Sequence, residues 1–353
     1  MGSGLIGTSL ALSLRRRGVA VWLVDRDPAA VQVAVDRGAG EPIPSASTGG
    51  GSQPALVVVA VPPAVTAAAV ADALRRYPDA VVTDVASVKV PIQRALVAAG
   101  VDATRYVGGH PMAGREVSGP AAARADLIDD RPWVITPGPG ADDAAVDAVQ
   151  ELALAARALP FLMSAAEHDR AVAVVSHTPQ VLASLLAARL LDSSETAVSI
   201  AGQGLRDMTR IAASDADLWA EILSANATPV AAVLGALRGD LDALLHALGS
   251  TDQSGEDVLI DTLRRGNAGR ERVPGRHGAQ STPTAVVPVA VPDRPGELGR
   301  LFAAVAEAGF GVEDVRIEHV LGRPTGVVEI TVGESAAGPL GAALGAAGWD
   351  VRA

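Results

Sequence analysis

The run Gly2-Ser3-Gly4-Leu5-Ile6-Gly7 opens the chain and leads directly into a segment with helical character, Thr8 to Arg17. Glycines at this spacing let backbone N–H groups approach a pyrophosphate at the start of a helix. Val19 to Val24 has the pattern of a buried strand and ends in Asp25, 18 residues after Gly7. This order of elements predicts a Rossmann-like α/β domain that binds a dinucleotide; a glycine-rich turn without a ligand is the alternative.

Asp25 has the spacing expected of a carboxylate that hydrogen-bonds the adenosine ribose. A carboxylate at that point repels a 2'-phosphate, so the pattern favours NAD over NADP, although Arg26 beside it could support the phosphorylated cofactor. The residues that we expect to contact the cofactor are Gly2, Gly4, Leu5, Ile6, Gly7, Asp25, Val61 and Pro62.

One element of the expected fold is missing from the sequence. In Rossmann-like domains the glycine run follows a buried first strand, but only Met1 precedes Gly2 here. We therefore expect the natural protein to begin upstream.

Strand and helix patterns alternate as far as about residue 140. Ala55 to Val61 is a continuous apolar run that ends at two prolines, Val65 to Tyr77 has helical character, and Ala80 to Val85 is the next strand. Tyr106 to Gly109 then brings a short strand to His110. Such alternation predicts a parallel sheet.

The most distinctive stretch is Gly-Gly-His-Pro-Met-Ala-Gly-Arg-Glu at 108 to 116. We expect a loop in which Gly108, Gly109 and Gly114 adopt backbone angles closed to other residues, so that His110 is fixed at a site. A neutral imidazole suits a proton acceptor at physiological pH. The alternative is a tight surface turn with a solvated histidine.

A second polar stretch, Asp-Val-Ala-Ser-Val-Lys at 84 to 89, follows the strand Ala80 to Val85. Open parallel sheets bind their ligands at the carboxyl ends of the strands, so Ser87 is a candidate substrate contact. The alternative for Ser87 and Lys89 is capping and solvation of the helix that follows.

Composition excludes several classes of function. A net charge of -11 argues against nucleic acid as a partner, because a phosphate-binding surface needs clustered Lys and Arg. With no cysteine among 353 residues, disulfides, thiolate metal sites and cysteine nucleophiles are excluded. We expect no metal site, no membrane span and no secretory signal, which makes the cytoplasm the expected compartment.

After residue 140 the pattern becomes helical, except for an edge strand expected over Ala158 to Met163. A long helix is expected over Ala165 to Leu191, and a further helical stretch over Asp217 to Leu248. We predict a Rossmann-like domain at 1–140, a helical substrate and dimerisation domain at 141–266 and a linker at 267–283. The helical residues that could reach the cleft are His168, Asp169, Ser176, His177, Gln180 and Arg210.

The remaining residues, 284–353, have the order βαββαβ. The stretch Asp293-Arg294-Pro295-Gly296-Glu297-Leu298 lies at the first turn from strand to helix and, with Gly309 after that helix, resembles the ACT domain, a small-molecule sensor. The regulatory contacts expected from this resemblance are Asp293, Pro295, Gly296 and Leu298. A domain kept only for dimerisation is the alternative.

The glycine run, the stretches at 84–89 and 108–116, and Thr209-Arg210-Ile211-Ala212 together resemble the prephenate dehydrogenase family of tyrosine biosynthesis. The resemblance implies oxidation of prephenate by NAD with loss of carbon dioxide to give 4-hydroxyphenylpyruvate, and a homodimer inhibited by tyrosine. It assigns His110 as the hydroxyl acceptor, Ser87 as its assistant, Glu116 as a gate or water-ordering group, and Arg210 as a carboxylate anchor, an assignment that fits a guanidinium fork.

Gln180 departs from this family's pattern. Many relatives carry histidine at the last position of Ser176-His177-Thr178-Pro179-Gln180, close to the substrate side chain, and His177 and Gln180 are therefore further expected substrate contacts. The departure leaves arogenate open as the substrate. A catalytically silent sensor of a dinucleotide and an amino acid is the alternative from another class.

Overall fold

A computed structural model describes residues 1–43, 53–114, 117–250, 253–273, 283–319 and 325–352. The chain divides into two compact units, Met1–Gly239 and Asp240–Ala353. Each unit has a sheet and a hydrophobic core of its own.

The first unit is built on a five-stranded sheet with the strand order β3-β4-β5-β6-β7. Strands β3 to β5 are parallel, as the alternation of strands and helices predicts, but β6 is antiparallel to β5. The strand β7 is parallel to β6 and lies at the edge, where the sequence places it. The strands are β3 (Leu56–Val59), β4 (Val81–Asp84), β5 (Tyr106–Pro111), β6 (Pro132–Pro137) and β7 (Leu159–Leu162).

The buried strand predicted over Val19 to Val24 is wrong in extent. Only Trp22–Leu23 (β1) is a strand, which pairs with Glu41–Pro42 (β2) in a separate two-stranded sheet, and Val19 is 42% exposed. A cleft of about 620 Å³ lies between Val19–Val24 and Ala55–Val58. Within the described part of the chain, no strand lies in this cleft to pair with Val19–Val24, so β1 stays short.

Met1 and Gly2 join the two sheets at one end of this cleft. The amino group of Met1 donates to the carbonyl oxygen of Val58 at 2.7 Å, and the N–H of Ala60 donates to the carbonyl oxygen of Met1 at 2.7 Å. On the other side, the N–H of Gly2 donates to the carbonyl oxygen of Val24 at 2.7 Å. The glycine run is therefore held between β1 and β3.

The helices of the first unit cover the sheets and then form a separate helical part. Four of the first five pack their apolar faces on the strands around Val59, Val82, Trp133 and Ile135, all fully buried, whereas the second packs on Leu23 of β1. The helices are α1 (Leu5–Arg15), α2 (Pro28–Asp36), α3 (Pro63–Arg76), α4 (Val90–Ala98), α5 (Asp143–Ala155), α6 (Ala165–Val172), α7 (Thr178–Arg189), α8 (Glu195–Ser199), α9 (Gln203–Thr209), α10 (Ala216–Ala225) and α11 (Ala227–Gly249). The boundary between the two units falls within α11, after Gly239.

The long helix predicted over Ala165 to Leu191 is a continuous helical segment, Ala165–Asp192, with a π-helical turn at Ala173–His177. By length and composition alone this segment could cross a membrane. However, His168, Asp169 and His177 within it are buried and hydrogen-bonded to other parts of the unit, which is typical of the core helix of a globular domain.

The helical stretch predicted over Asp217 to Leu248 is broken rather than continuous. Helices α10 and α11 meet at Asn226 with a bend of 94°. Pro229 stands three residues after the bend, and proline disrupts the helix that precedes it because it lacks an N–H and its ring clashes with the preceding turn. The bend brings the side chain of Asn226 into the protein interior, where it is buried.

The second unit contains α12 (Gln253–Glu271) and then the predicted βαββαβ order. Its four-stranded antiparallel sheet has the order β11-β8-β10-β9. The predicted linker at 267–283 begins too early, because α12 continues to Glu271; no proline interrupts it before Pro274. The elements are β8 (Thr284–Pro292), α13 (Glu297–Glu307), β9 (Asp314–His319), β10 (Thr325–Gly333), α14 (Glu334–Ala346) and β11 (Asp350–Val351).

Candidate active site

The candidate site lies at the carboxyl ends of β4 and β5, where Asp84 ends one strand and His110 lies near the end of the next. Residues 108–111 are strand rather than the predicted loop: β5 includes Gly108 to Pro111 and pairs with β6, so that His110 is opposite Val134. All six residues of β5 are buried. The imidazole of His110 is therefore fixed by a sheet and is not a solvated side chain in a surface turn.

A fully buried ion pair lies directly beneath His110. The ammonium group of Lys89 contacts the carboxylate of Asp84 and donates to the carbonyl oxygen of Gly109 at 2.7 Å. The hydroxyl of Tyr106 donates to the other oxygen of Asp84 at 2.6 Å. Burial lowers the pKa of Lys89, with Asp84 opposing that shift, and raises the pKa of Tyr106 well above its usual value. These contacts hold the peptide that precedes His110.

The glycines before His110 serve packing rather than unusual backbone angles. Neither Gly108 nor Gly109 has a positive φ, which corrects the reason predicted for them. A Cβ on Gly109 would lie 2.6 Å from the carbonyl oxygen of Asp84 and 2.9 Å from Nε1 of Trp133. A Cβ on Gly108 would overlap Oγ1 of Thr136. The backbone of β5 thus approaches the buried polar groups more closely than any side chain permits.

Two histidines and a carboxylate form a hydrogen-bonded row at the site. The Nδ1 atom of His110 lies 2.8 Å from Nε2 of His168, and Nδ1 of His168 lies 2.8 Å from Oδ1 of Asp169. Burial lowers the pKa of His110 well below its usual value, and electrostatic coupling to His168, to the ammonium of Lys89 and to His177 lowers it further. His110 is consequently a neutral imidazole at physiological pH.

His177 lies in the same buried region. Its Nδ1 atom is 3.0 Å from Nδ2 of Asn226, which also donates to the carbonyl oxygen of Asp169 at 2.8 Å. Its Nε2 atom is buried without a hydrogen-bond partner, and its ring meets that of Trp219 edge to face. Burial lowers the pKa of His177 to about 4. An unpartnered, buried ring nitrogen of this kind is available to a ligand.

The other predicted catalytic and substrate residues are less closely grouped. Ser87 is half-buried in the loop between β4 and α4. Gln180 is buried on α7, where its Nε2 atom lies 3.5 Å from Oγ of Ser184. Arg210 is exposed in a 3-10 turn that packs on α7, and Glu116 lies outside the described residues. The structure thus brings His110 together with His168 and His177.

The glycine run has the geometry of a phosphate cradle. Gly4 is the N-cap of α1 and makes no side-chain capping hydrogen bond, and a Cβ at Gly4 would meet nothing within 4 Å. The first turn of α1 has no acidic residue, and Oγ of Ser3 is buried without a partner. Open space at a helix N-terminus with unused donors fits the pyrophosphate of a dinucleotide.

Gly2, Gly7, Asp25 and Val61 are also brought to this cradle. Gly2 has a φ of +96° and packs against Ala60 and Val61, while Gly7 packs against Gly2. The carboxylate of Asp25 accepts from the N–H of Ser3 at 2.6 Å and from the N–H of Asp27 at 2.9 Å. The remaining predicted contacts lie beside these residues, Leu5 and Ile6 in the first turn of α1 and Pro62 as the N-cap of α3.

Sequence reasoning missed the supporting residues of the site. Asp84 and Lys89 lay within a stretch singled out for Ser87, and a lysine next to a strand end gives no sign that it is fully buried. The sequence around Tyr106 likewise does not indicate that this residue is part of the site. For Asn226, the signal was an asparagine three residues before a proline, which indicates a helix break but not the contact with His177.

Comparison with known proteins agrees with this arrangement. Residues 10–159 match the family model described as "Prephenate dehydrogenase, nucleotide-binding domain", and residues 164–265 match "Prephenate dehydrogenase, dimerization domain". The Streptomyces niveus protein named "Probable prephenate dehydrogenase NovF" is 40% identical over 343 residues, which span 94% of this chain and 92% of that protein. A prephenate dehydrogenase of Bacillus subtilis is 26% identical over 337 residues, 94% of this chain and 90% of that one.

Solved structures give the same result. The prephenate dehydrogenase of A. aeolicus, in complex with hydroxyphenyl propionate and NAD+, superposes with a TM-score of 0.65 at 28% identity, covering 76% of this chain and 95% of that one. The arogenate dehydrogenase of Synechocystis has a TM-score of 0.63 at 26% identity, with 77% and 97% covered. With two family models matching most of its first 265 residues, the chain belongs to the prephenate dehydrogenase family.

Proposed function

We propose that this protein is an NAD-dependent prephenate dehydrogenase, which converts prephenate to 4-hydroxyphenylpyruvate and carbon dioxide. The observation that carries the proposal is the buried, neutral imidazole of His110, held at the carboxyl ends of parallel strands in the same unit as the dinucleotide cradle. A neutral imidazole in that position suits an acceptor for a substrate hydroxyl proton.

NAD supplies the hydride acceptor in this reaction. His110 accepts the hydrogen bond, and then the proton, of the ring hydroxyl, so that the carbon bearing this hydroxyl loses hydride more readily. The bond from the ring to its carboxylate breaks, carbon dioxide leaves, and the electron pair of that bond completes the aromatic ring. The ring oxygen then takes the proton back from His110, which gives the phenol of the product and a neutral imidazole again. In our proposal Ser87 hydrogen-bonds the same hydroxyl, and burial of His110 excludes competing water.

The remaining predicted residues bind the substrate in this proposal. Arg210 anchors a carboxylate through its guanidinium fork, and His177 and Gln180 line the side-chain end of the substrate. The unpartnered Nε2 atom of His177 supports its part in this assignment. Glu116 acts as a gate or orders water.

The test is the formation of NADH by purified protein with prephenate and with arogenate, each with NAD and with NADP. We expect turnover of prephenate with NAD, and a loss of kcat of about 10²- to 10⁴-fold in His110→Ala, the usual contribution of a general base. Gly114→Ala is the control, since a Cβ at Gly114 would meet nothing within 4 Å. Binding of NAD without turnover of either substrate would favour the sensor of a dinucleotide and an amino acid instead.

Arogenate is the second candidate substrate. Gln180 departs from the histidine that the family resemblance implies at this position, and an arogenate dehydrogenase is among the similar structures. The two substrates differ in carrying a keto or an amino group on the side chain. A higher kcat/KM for arogenate, moved toward prephenate by Gln180→His, would establish this alternative.

We further propose a homodimer formed by the helical part of the first unit. Apolar side chains that are more than half exposed, Val174, Val175 and Leu185, lie on the segment Ala165–Asp192, and the matching family model is described as a dimerization domain. An exposed apolar patch on a helix is typical of a subunit interface. Analytical ultracentrifugation should give a dimer that Leu185→Glu weakens, while the exposed polar position Arg189, substituted by Glu, serves as the control.

We propose that residues 284–353 form an ACT-like regulatory module that binds tyrosine at Asp293, Pro295, Gly296 and Leu298. The antiparallel βαββαβ arrangement with order β11-β8-β10-β9 supports this assignment. Gly296, with a φ of +92°, makes the turn into α13, and Leu298 beside it is partly exposed. Tyrosine should inhibit turnover, and Asp293→Ala should relieve that inhibition without changing the uninhibited rate.

The cytoplasm remains the proposed compartment, in keeping with the lack of cysteine.

A further inference from the structure

The row of hydrogen bonds from His110 to Asp169 fixes the position of each proton along it. Its atoms are Nδ1 of His110, Nε2 and Nδ1 of His168, and Oδ1 of Asp169, with both separations 2.8 Å. The two rings meet edge to face, with centroids 5.0 Å apart. His168 is fully buried and Asp169 is 3% exposed, so water does not compete for these atoms.

Asp169 is the acceptor that orients the row. The N–H of Lys89 donates to its Oδ1 atom at 2.8 Å, and the N–H of Val90 donates to its Oδ2 atom at 2.9 Å. These are donors at the start of α4, where an anion is favoured. An ionised carboxylate accepts hydrogen bonds and donates none. The proton between Asp169 and His168 therefore belongs to Nδ1 of His168.

The protonation of His168 then decides that of His110. Burial lowers the pKa of His168, so the ring is neutral and has a single N–H. With that proton on Nδ1, the Nε2 atom of His168 has a lone pair and must accept. Nδ1 of His110 is consequently the donor, and the lone pair of His110 is on its Nε2 atom.

We propose that Asp169, acting through His168, holds His110 in the tautomer whose Nε2 atom accepts a proton. This makes Asp169 and His168 positioning residues of the reaction, and the proposal rests on the function proposed above for His110. The opposite tautomer would present an N–H to the substrate hydroxyl and could not take its proton. A carboxylate that sets the tautomer of a catalytic histidine is known in serine proteases, although there it contacts that histidine directly.

Other polar groups packed around the row leave this assignment intact. The ammonium of Lys89 is committed to Asp84 and to the carbonyl oxygen of Gly109, and Tyr106 donates to Asp84. Asn226 donates to the backbone carbonyl oxygen of Asp169 and lies beside Nδ1 of His177. None of these contacts supplies a proton to the row.

The first test reads the tautomers directly in the resting full-length protein. Long-range nitrogen–proton correlation NMR distinguishes the two tautomers of a neutral imidazole, and single His→Gln variants assign the signals of only six histidines. We expect the proton on Nδ1 in both His110 and His168. A proton on Nε2 of His110 would overturn the proposal. Because this measurement needs no substrate, it stands whether or not prephenate is turned over.

The second test removes the carboxylate. Asp169→Asn should lower kcat by about 10²- to 10⁴-fold with little change in KM, by analogy with loss of the carboxylate in a protease triad, and should scramble the His110 tautomer signal. Asp169→Glu should restore part of both. Asn226→Ala is the matched control for stability and for the tautomer signal, because it removes two buried hydrogen bonds of the same region but leaves the carboxylate on His168.

The outcomes separate a positioning role from a structural one. If Asp169→Asn and Asn226→Ala lose stability alike but only the first alters the His110 tautomer signal, the proposal stands. If Asp169→Asn folds with an unchanged His110 signal, the proposal is refuted. Should Asp169→Asn fail to fold, the wild-type spectrum and Asp169→Glu still decide.

Discussion

The glycine run at 2–7 and the glycine pair at 108–109 look alike in sequence but use glycine for opposite reasons. At Gly4 the missing side chain leaves open space at a helix N-terminus, where a ligand can approach the backbone. At Gly109 the missing side chain lets the protein itself fill the space, with Asp84 and Trp133 packed against the backbone.

A glycine-rich stretch therefore indicates that another group approaches the backbone closely, but it does not indicate whether that group is a ligand or part of the protein. The open run at 2–7 is the proposed contact with the cofactor, so its substitution should affect NAD affinity more than folding. The packed pair belongs to the buried polar centre, so its substitution should affect folding and catalysis together. Substitutions in the two glycine stretches should therefore have different effects on stability and on binding.

The largest effect should come from the buried ion pair of Lys89 and Asp84, which contacts the backbone of Gly109. Asp84→Asn leaves the ammonium of Lys89 buried without its counter-charge, which should cost about 3–5 kcal/mol of unfolding free energy. Asp126→Asn breaks an exposed pair with Arg124 and should cost about 1 kcal/mol at most. Urea denaturation measures both. Equal losses would mean that burial adds nothing to the Asp84 pair.

A smaller loss should follow from filling the packed position itself. Gly109→Ala forces a Cβ against the carbonyl oxygen of Asp84 and should destabilise by about 1–3 kcal/mol, with lower activity because the peptide before His110 shifts. Gly114→Ala should change stability by less than about 1 kcal/mol, because that position is open and its φ is not positive. If Gly109→Ala and Gly114→Ala have the same denaturant midpoint, the packing argument for Gly109 is refuted.

The neutral histidines beside the packed pair should make stability depend on pH. The pKa values of His110, His168 and His177 are lowered in the folded protein, so the unfolded chain binds more protons below about pH 6.5. Stability should be full above that pH and fall as the pH drops toward 4, the pKa of folded His177. Urea denaturation from about pH 8 to about pH 5 measures the slope. His177→Gln should flatten it; an unchanged slope would show that His177 does not contribute.

The open run should give the smallest change in stability. Gly4→Ala should lower the unfolding free energy by no more than about 1 kcal/mol, because alanine is a poorer N-cap residue than glycine but meets no clash here, while NAD affinity falls by roughly tenfold. Gly2→Ala is the contrast within the same run, since its positive φ and contact with Ala60 predict lost stability as well. Fluorescence titration with NAD gives the affinities. Unchanged NAD binding by Gly4→Ala would remove the cradle from this loop.

Much of the fold could be predicted because its signals are local. The βαββαβ order of the second unit and the edge strand β7 follow from apolar periodicity and turn residues. The direction of β6 could not be predicted, because periodicity does not state which neighbour a strand pairs with. The bend at Asn226 and the extension of α12 to Glu271 depended on competition between helix propensity and packing.

The candidate site divides in the same way. The framing of His110 by glycines, the glycine run of the phosphate-binding kind at the start of the chain, and the family that the motifs resemble all follow from the sequence, because these depend on residue types at short spacing. Only the tertiary structure decided that Lys89 is buried on Asp84, that Asn226 reaches Asp169, and that His168 links Asp169 to His110. The reason is physical: the contacts of His168 with His110 and of Asn226 with Asp169 each join residues more than 50 positions apart, and the burial of Lys89 depends on β5. Only the packing of α6 against the sheet and against the bend at Asn226 brings these groups together.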